Sequence, residues 1–338
     1  VKLLTIVIPS YNSEGYLDKA VESCMAGGTD VEVLIVNDGS KDRTGEIADA
    51  WAAKYPETVR AIHQENGGHG EVINVGIREA KGLYFKVLDS DDQLDPEGYM
   101  VMLERLRGFV ETEERPDLIF TDFLYDRTDD REDTRVHFEN AMPMMKLFDW
   151  NTRIRFRVSQ YAMIHALTYR TETLRESGYV LPKHTYYEDN LYTFCPAASV
   201  EKLWYEPVLF YHYTIGREGQ SVTEEIMIRR LDQQMKVNRL MIDFIAEHHD
   251  LKKNQERYML HYMDSIMCVS SIMSILSGTE ESLKKKDDLW QYLKDKDPER
   301  YRKMRHSLFG VTMNLPGRGG RWIAKKGYHL ANRIVGFN

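Results

Sequence analysis

Leu3-Leu4-Thr5-Ile6-Val7-Ile8-Pro9-Ser10-Tyr11-Asn12 is a β-branched apolar run that stops in a polar loop, and the construction recurs three times within the next eighty residues. Residues 31–37 run into Asn37-Asp38-Gly39-Ser40, residues 59–63 into Asn66-Gly67-Gly68-His69-Gly70, and residues 84–89 into Asp89-Ser90-Asp91-Asp92. The intervals carry apolar residues at helical spacing. They are Tyr16, Leu17, Ala20, Val21 and Cys24 behind Ser13 as expected cap, then Ile47, Ala48, Trp51 and Tyr55, then Val72, Ile73, Gly76, Ile77 and Ala80. Strands alternating with helices make neighbouring strands parallel, which predicts an α/β fold. In such an open sheet, ligands collect beyond the carboxyl ends of the strands, so the four polar loops are expected to share one rim.

Working outward, a helix is expected over residues 98–107, a strand over 118–121, and a solvated loop or hairpin turn over the charged stretch 126–135. After about residue 221 the pattern turns to long helical periodicity rich in Met, Leu and Ile, through 226–244 and 258–276. The expected organisation is therefore a domain over residues 1–221, with halves 1–110 and 111–221, followed by a mainly α-helical region over 222–338.

The chain has 338 residues, 42% hydrophobic and 29% charged, which is the composition of a globular protein with a sizeable core. Cys24, Cys195 and Cys268 lie far apart, which excludes a disulfide framework or a cysteine-rich zinc module and fits a reducing compartment. No signal peptide or membrane span is expected, and a cytoplasmic location follows. The net charge of −8 hides an asymmetry: residues 301–338 hold eight Lys or Arg and no acid, leaving 37 basic against 53 acidic side chains before them. An acidic body argues against nucleic acid as a partner.

Asp89, Asp91 and Asp92 crowd three carboxylates into one turn, a charge density that calls for a divalent cation; hard oxygen ligands suit Mg²⁺ or Mn²⁺. Their ordinary structural role would be to cap the helix after Pro96. A haloacid-dehalogenase-like phosphatase would place such acids after the first strand, not the fourth, and a calcium loop would need a preceding helix; neither fits.

Thr5 to Asn12, Val36-Asn37-Asp38-Gly39-Ser40-Lys41-Asp42, Asn66-Gly67-Gly68 and Leu88-Asp89-Ser90-Asp91-Asp92 together resemble the family 2 inverting glycosyltransferases of the GT-A fold. The resemblance is specific over residues 3–110 and thin beyond 222. It implies a Rossmann-like, mostly parallel sheet flanked by helices. It implies that Pro9, Tyr11, Asn12, Glu14, Asp38, Asn66, Gly67, Asp89 and Ser90 hold a nucleotide sugar, UDP by family frequency, and that Asp91 ligates the metal. Relatives often carry Arg where this chain has Ile73, so any part that Arg plays toward base or diphosphate falls to another residue.

Tyr186-Tyr187-Glu188-Asp189-Asn190-Leu191 resembles the family's Glu-Asp motif. Inverting displacement needs a base on the face opposite the leaving diphosphate; Asp189 takes that role and Glu188 positions it or shares the proton. Acids in the first turn of a helix are the ordinary alternative. Tyr211 to Ser221 looks like the loop that clamps the diphosphate in relatives, with Arg217, Gln220 and Ser221 on the phosphates. In that reading His212 supplies a metal nitrogen, and a packed, hydrogen-bonded histidine is the alternative. His165 falls where relatives line the acceptor cleft.

As a helix, the tail puts Arg321, Lys325, His329 and Arg333 on one side and Ile323, Leu330, Ile334 and Phe337 on another. That pattern suits either an interfacial helix making peripheral membrane contact through residues 318–338 or a terminal helix docked on its own domain. The resulting expectation is a metal-dependent inverting glycosyltransferase acting on a glycan, polymer or lipid-linked acceptor. Its rivals are a nucleotidyltransferase, which would want basic residues between Pro9 and Asp18, and a non-catalytic nucleotide-sugar-binding protein, which would have no use for both Glu188 and Asp189.

Overall fold

The computed structural model describes residues 2–112, 114–128, 131–216 and 223–335, with side chains to residue 330. The chain divides into two compact units, Val1–Phe156 with Ala162–Ile215, and Arg157–Tyr161 with Gly216–Asn338. The expected change at residue 222 lies outside the described residues.

The first unit opens with β1 (Lys2–Ser10), α1 (Leu17–Cys24), β2 (Val31–Asp38), α2 (Thr44–Lys54), β3 (Val59–Gln64), α3 (His69–Glu79) and β4 (Gly82–Val87). It continues through β5 (Gln93–Leu94), α4 (Pro96–Thr112), β6 (Leu118–Arg127), β7 (Thr134–Val136) and β8 (Phe148–Asp149). It closes with β9 (Leu167–Arg170), α5 (Thr171–Glu176), α6 (Asp189–Phe194) and β10 (Lys202–Ile215). One sheet runs β3-β2-β1-β4-β9-β6-β10-β5, with β7 paired to β6 and β8 to β10. β3, β2, β1 and β4 are parallel, as the alternation predicts; β9 enters antiparallel between β4 and β6. β2 is buried throughout and β1 from Leu3 onward, and both are mostly apolar, because helices cover both faces of such a sheet.

Register places the rim. Ser10 pairs with Asn37, Asp38 with Gln64, and Val7 with Val87, so the strands end at nearly one level and their loops meet.

Three local expectations are corrected. Ser13 does not cap α1 through its hydroxyl; the helix starts at Leu17 behind Tyr16, and it is the Ser13 carbonyl that accepts from the N–H groups of Tyr16 and Leu17. The strand expected over 118–121 extends to Arg127, because β10 runs beside it and the charged stretch returns as β7 with Arg135 paired to the buried Asp122 at 2.6 Å. The helix expected over 98–107 runs from Pro96 to Thr112.

The second unit is helical: α7 (Glu224–Arg229), α8 (Leu231–Glu247), α9 (Lys253–Ser277), α10 (Glu280–Lys296), α11 (Pro298–Arg305), α12 (Leu308–Met313) and α13 (Gly317–Val335). The periodicity over 226–244 is thus shared by two helices that part at Arg230. α9 packs against all the others and is the core of this unit. By length and composition it is apolar enough to cross a membrane, but 67% of its most apolar stretch is buried among its neighbours, the condition of a core helix.

Candidate active site

The first and second loops are zipped by side chain to backbone. Asn12 donates its N–H to Ser40 Oγ at 3.0 Å and accepts from the Lys41 N–H at 2.8 Å; Glu14 accepts from the Arg43 N–H, and Ser13 donates to Thr44 Oγ1. Asn12 sits at φ +50°, a left-handed conformation that asparagine tolerates better than most residues. The first loop reaches the fourth through Ser13 and Ser90, whose hydroxyls lie 2.7 Å apart. Asp38 is buried, and both its oxygens are engaged: Oδ1 accepts from Gln64 and from the Gly67 N–H, and Oδ2 from the Gly68 N–H at 2.8 Å. Asn66 closes the same turn by donating to the Asp38 carbonyl. Asp38 therefore organises the third loop.

Below the fourth loop, Lys86 of β4 is fully buried and donates to the carbonyls of Ile164, His165 and Leu167. Burial pushes its ammonium down to about 7, against the pull of Asp89 and Asp92. Asp92 is buried as well; Oδ2 accepts from the Tyr211 hydroxyl at 2.6 Å and Oδ1 from the Thr214 N–H at 2.8 Å, while the Asp89 N–H donates to that same hydroxyl. Burial, then the nearby Asp89 charge, raises the Asp92 carboxyl well above the usual carboxylate range. His165 stacks on Tyr213 with ring centroids 4.0 Å apart, and burial drives its imidazole down to about 3, leaving it neutral.

Asp89, Asp92 and His165 each offer a donor atom within 4.8 Å of the others, and among the described residues the buried Nδ1 of His165 has no hydrogen-bond partner. Two carboxylates with a neutral imidazole fit a divalent ion that accepts both oxygen and nitrogen, a description closer to Mn²⁺ than to Mg²⁺. Asp91 lies in the same turn, half-buried, outside this group. His212 is elsewhere: it sits on β10 with Nε2 3.1 Å from Asp95 and Nδ1 3.6 Å from Asp126.

The Glu188-Asp189 pair begins α6, and the segment leading to it is laid on the start of α3. The His184 N–H donates to the Gly67 carbonyl at 2.9 Å, and Asn74 exchanges two hydrogen bonds with the Leu181 backbone. Gly70 is required here, since a Cβ would stand 2.9 Å from Glu188 Cγ. Glu188 is 3% exposed, and its Oε1 lies 2.6 Å from His69 Nδ1; the other ring nitrogen, Nε2, lies 2.9 Å from Asp89 Oδ1. Burial works against a charged His69, yet the Asp89 and Glu188 carboxylates outweigh it and raise the imidazolium well above its ordinary range. Burial opposes ionisation of Asp89 too, and the charge and hydrogen bond of His69 nevertheless hold its carboxyl below the usual value. Asp189, with no such cation in contact, is pushed up to about 7, first by burial and then by the neighbouring Glu188.

The structure thus gathers Asn12, Glu14, Asp38, Asn66, Gly67, Asp89 and Ser90 on one rim and ties Glu188-Asp189 to it through His69. Tyr11 stands at the end of β1 with its ring open to solvent, and Pro9 is buried inside the strand. Arg217, Gln220 and Ser221 lie outside the described residues. Reading the sequence gave no role to His69 or Lys86, counted Asp92 only among three clustered carboxylates, and took Tyr211 only as the start of a loop. The visible signals were a histidine inside the glycine-rich third loop and a lysine at an inward position of an apolar strand.

Comparison with known proteins bears on the family and the fold. Residues 5–170 match the family described as Glycosyl transferase family 2. The uncharacterized glycosyltransferase EpsJ of Bacillus subtilis is 40% identical over 93 residues, 27% of either chain, and the aligned stretches span less than half the length of the curated relatives that match first. Among solved structures, Staphylococcus aureus TarS 1–349 in complex with UDP-GlcNAc superposes with a TM-score of 0.54 at 19% identity, covering 90% of this chain and 91% of that one. The mannosyltransferase PcManGT of Pyrobaculum calidifontis, in complex with GDP-Man and Mn²⁺, gives 0.51 at 13% identity over 96% and 86%. At these identities the likeness is one of fold: a central open sheet flanked by helices, the GT-A arrangement, with a helical C-terminal region.

Proposed function

We propose that this chain, a family 2 glycosyltransferase by its residues 5–170, moves one sugar from a nucleotide diphosphate sugar to an acceptor hydroxyl with inversion at the anomeric carbon. Asp189 carries the reading. A carboxyl held up to about 7, at the start of a helix tied to the donor rim, is matched to taking a proton near neutral pH. The acceptor hydroxyl gives its proton to Asp189 as its oxygen bonds to the anomeric carbon. The bond from that carbon to the diphosphate breaks on the opposite face, and the nucleoside diphosphate leaves with the electron pair.

Tyr11 offers an open ring for the base, and the loops organised by Asn12, Glu14, Asp38, Asn66 and Gly67 shape the nucleotide pocket. Asp89 and Ser90 face the ribose and diphosphate. Asp89, Asp92 and His165, with Asp91 of the same turn, would hold Mn²⁺ or Mg²⁺, which when bound offsets the negative charge of the leaving diphosphate. A UDP sugar is the donor of first choice, supported by family frequency and by a fold neighbour solved with UDP-GlcNAc. Screening nucleotide sugars for hydrolysis with Mn²⁺ present tests the reading; a fully active Asp189→Asn variant would remove its main support.

Acceptors held at the inner face of a membrane, such as lipid-linked glycans or growing surface polymers, suit the tail. α13 packs against α9, with Gly320 and Ala324 buried and Lys325 donating to the Leu276 carbonyl, and leaves Trp322, Ile323 and Leu330 outside at 62%, 51% and 61% exposure. A helix docked only for its own unit would turn its large apolar residues inward. Here they lie outward beside Lys326, which stands over the Trp322 ring, in a segment with no acidic residue.

A further inference from the structure

We propose that His69 is the positioning residue that sets the Glu188-Asp189 turn against the donor-side carboxylate Asp89; this rests on the reading of Asp189 as the base and deepens it. Both ring nitrogens face carboxylate oxygens, at 2.6 and 2.9 Å. One side chain thereby spans two segments that lie 119 residues apart in the chain on one side and 20 on the other.

The turn needs such a tie. His184 at φ +48° and Tyr187 at φ +67° are non-glycine residues in the left-handed region, a backbone strain that the surroundings must offset. The bonds from His184 to Gly67 and from Leu181 to Asn74 fix the backbone ahead of the turn. Among the described residues, His69 is the one side chain hydrogen-bonded to the buried Glu188 carboxylate, and it alone reaches across to Asp89. Fixing Glu188 fixes the charge beside Asp189 and the direction in which the α6 start presents its carboxylate. The same bond on the other nitrogen orients Asp89 toward the donor.

Asparagine and glutamine separate the two jobs, because the Asn amide nitrogen falls near the place of Nδ1 and the Gln amide nitrogen near that of Nε2. The experiment measures turnover of UDP-sugar hydrolysis, donor affinity by calorimetry with Mn²⁺, and melting temperature for wild type and for His69→Ala, His69→Asn and His69→Gln. His69→Ala should lose on the order of 10- to 100-fold in kcat, the range seen when a group orienting a site residue is removed. His69→Asn should regain most of kcat with weakened donor binding, and His69→Gln should regain donor binding with kcat still low. Wild-type kcat in His69→Ala overturns the proposal, as does an equal deficit in all three variants that follows the melting temperature alone. A wild type that hydrolyses no nucleotide sugar sinks the transfer reading and with it this role. An active wild type with an unaffected alanine variant sinks only the role of His69.

Discussion

In the helical unit, Arg300 is 5% exposed and gives its guanidinium to Glu256, to Asp297 and to the carbonyls of Ile245 and His248. In the sheet unit, Asp89, Asp92, Glu188 and Asp189 crowd around His69 and Lys86. The first cluster is settled. Glu256 is also bonded to Lys303, and although burial opposes it, these cations hold its carboxyl below the usual range. The second is poised: Asp189 is pushed up to about 7 and Asp92 well above the usual carboxylate range, while Lys86 is pushed down to about 7. Buried charge with every partner present holds a fold together, whereas carboxylates in excess of their cations store the proton affinity that chemistry uses.

The largest way to break this contrast is Asp189→Asn, which keeps size and removes proton acceptance. Hydrolysis and transfer should fall by about 10²- to 10⁴-fold while donor affinity stays nearly constant, as read by steady-state kinetics beside calorimetry. Arg300→Ala should do the reverse. It leaves Asp297 and Glu256 facing a gap and should cost roughly 3–5 kcal/mol in chemical denaturation, with kcat per folded molecule unchanged.

Replacing Mn²⁺ by chelator should weaken UDP binding on the order of 10-fold or more, and Asp91→Asn and Asp92→Asn should each shrink that difference. Equal affinity with and without the ion would remove the metal from the site. A smaller effect separates the tail from both clusters. Deleting residues 318–338, or changing Trp322 and Ile323 to Ser, should reduce binding to anionic phosphatidylglycerol vesicles and leave neutral phosphatidylcholine vesicles as they were, most clearly at low salt. Indifference of the full chain to anionic vesicles at low salt would end the membrane reading.

The smallest effect sharpens the comparison through pH. Asp189 has its folded pKa raised, so the native state holds more protons than the unfolded chain between about 4 and 7, and its stability contribution is lost as pH rises through that window. Glu256 has its folded pKa lowered, so its contribution is present at neutral pH and is lost as pH falls below the usual carboxylate value. Asp189→Asn should therefore melt higher than wild type at pH 8, by less at pH 5, and no higher below about pH 4. A lower melting temperature at pH 8 and at pH 5 would make Asp189 a helix-starting acid and not a base.

The parallel half of the sheet was legible because each strand and helix announces itself within about ten residues, and the four loops were placed on one rim by the alternation alone. The interruption by β9 was not, since an antiparallel strand inserted between β4 and β6 leaves no mark in either neighbour's pattern. Ser13 looked like a cap because its residue type fits; its hydroxyl was claimed instead by Ser90, 77 residues away. The tail's two-sided spacing was plain, whereas which side faces the protein was decided by the packing of α13 on α9, which buries Gly320 and Ala324.

What the sequence determined by itself is local: periods of two and of 3.6, polar loops at strand ends, the order of the motifs and the excess of acids before residue 300. These follow from backbone geometry and side-chain type, which act over a turn or a strand. What only the tertiary structure decided is which charges share a dry space. Asp38 spends its oxygens on the Gly67 and Gly68 N–H groups, and His69 meets Glu188 across 119 residues. Asp92 and His165 join Asp89, while His212 pairs with Asp95 and Asp126. Protonation follows burial and neighbouring charge, both set by chain closure, so the poised carboxyl of Asp189 is a property of the fold and not of the residue.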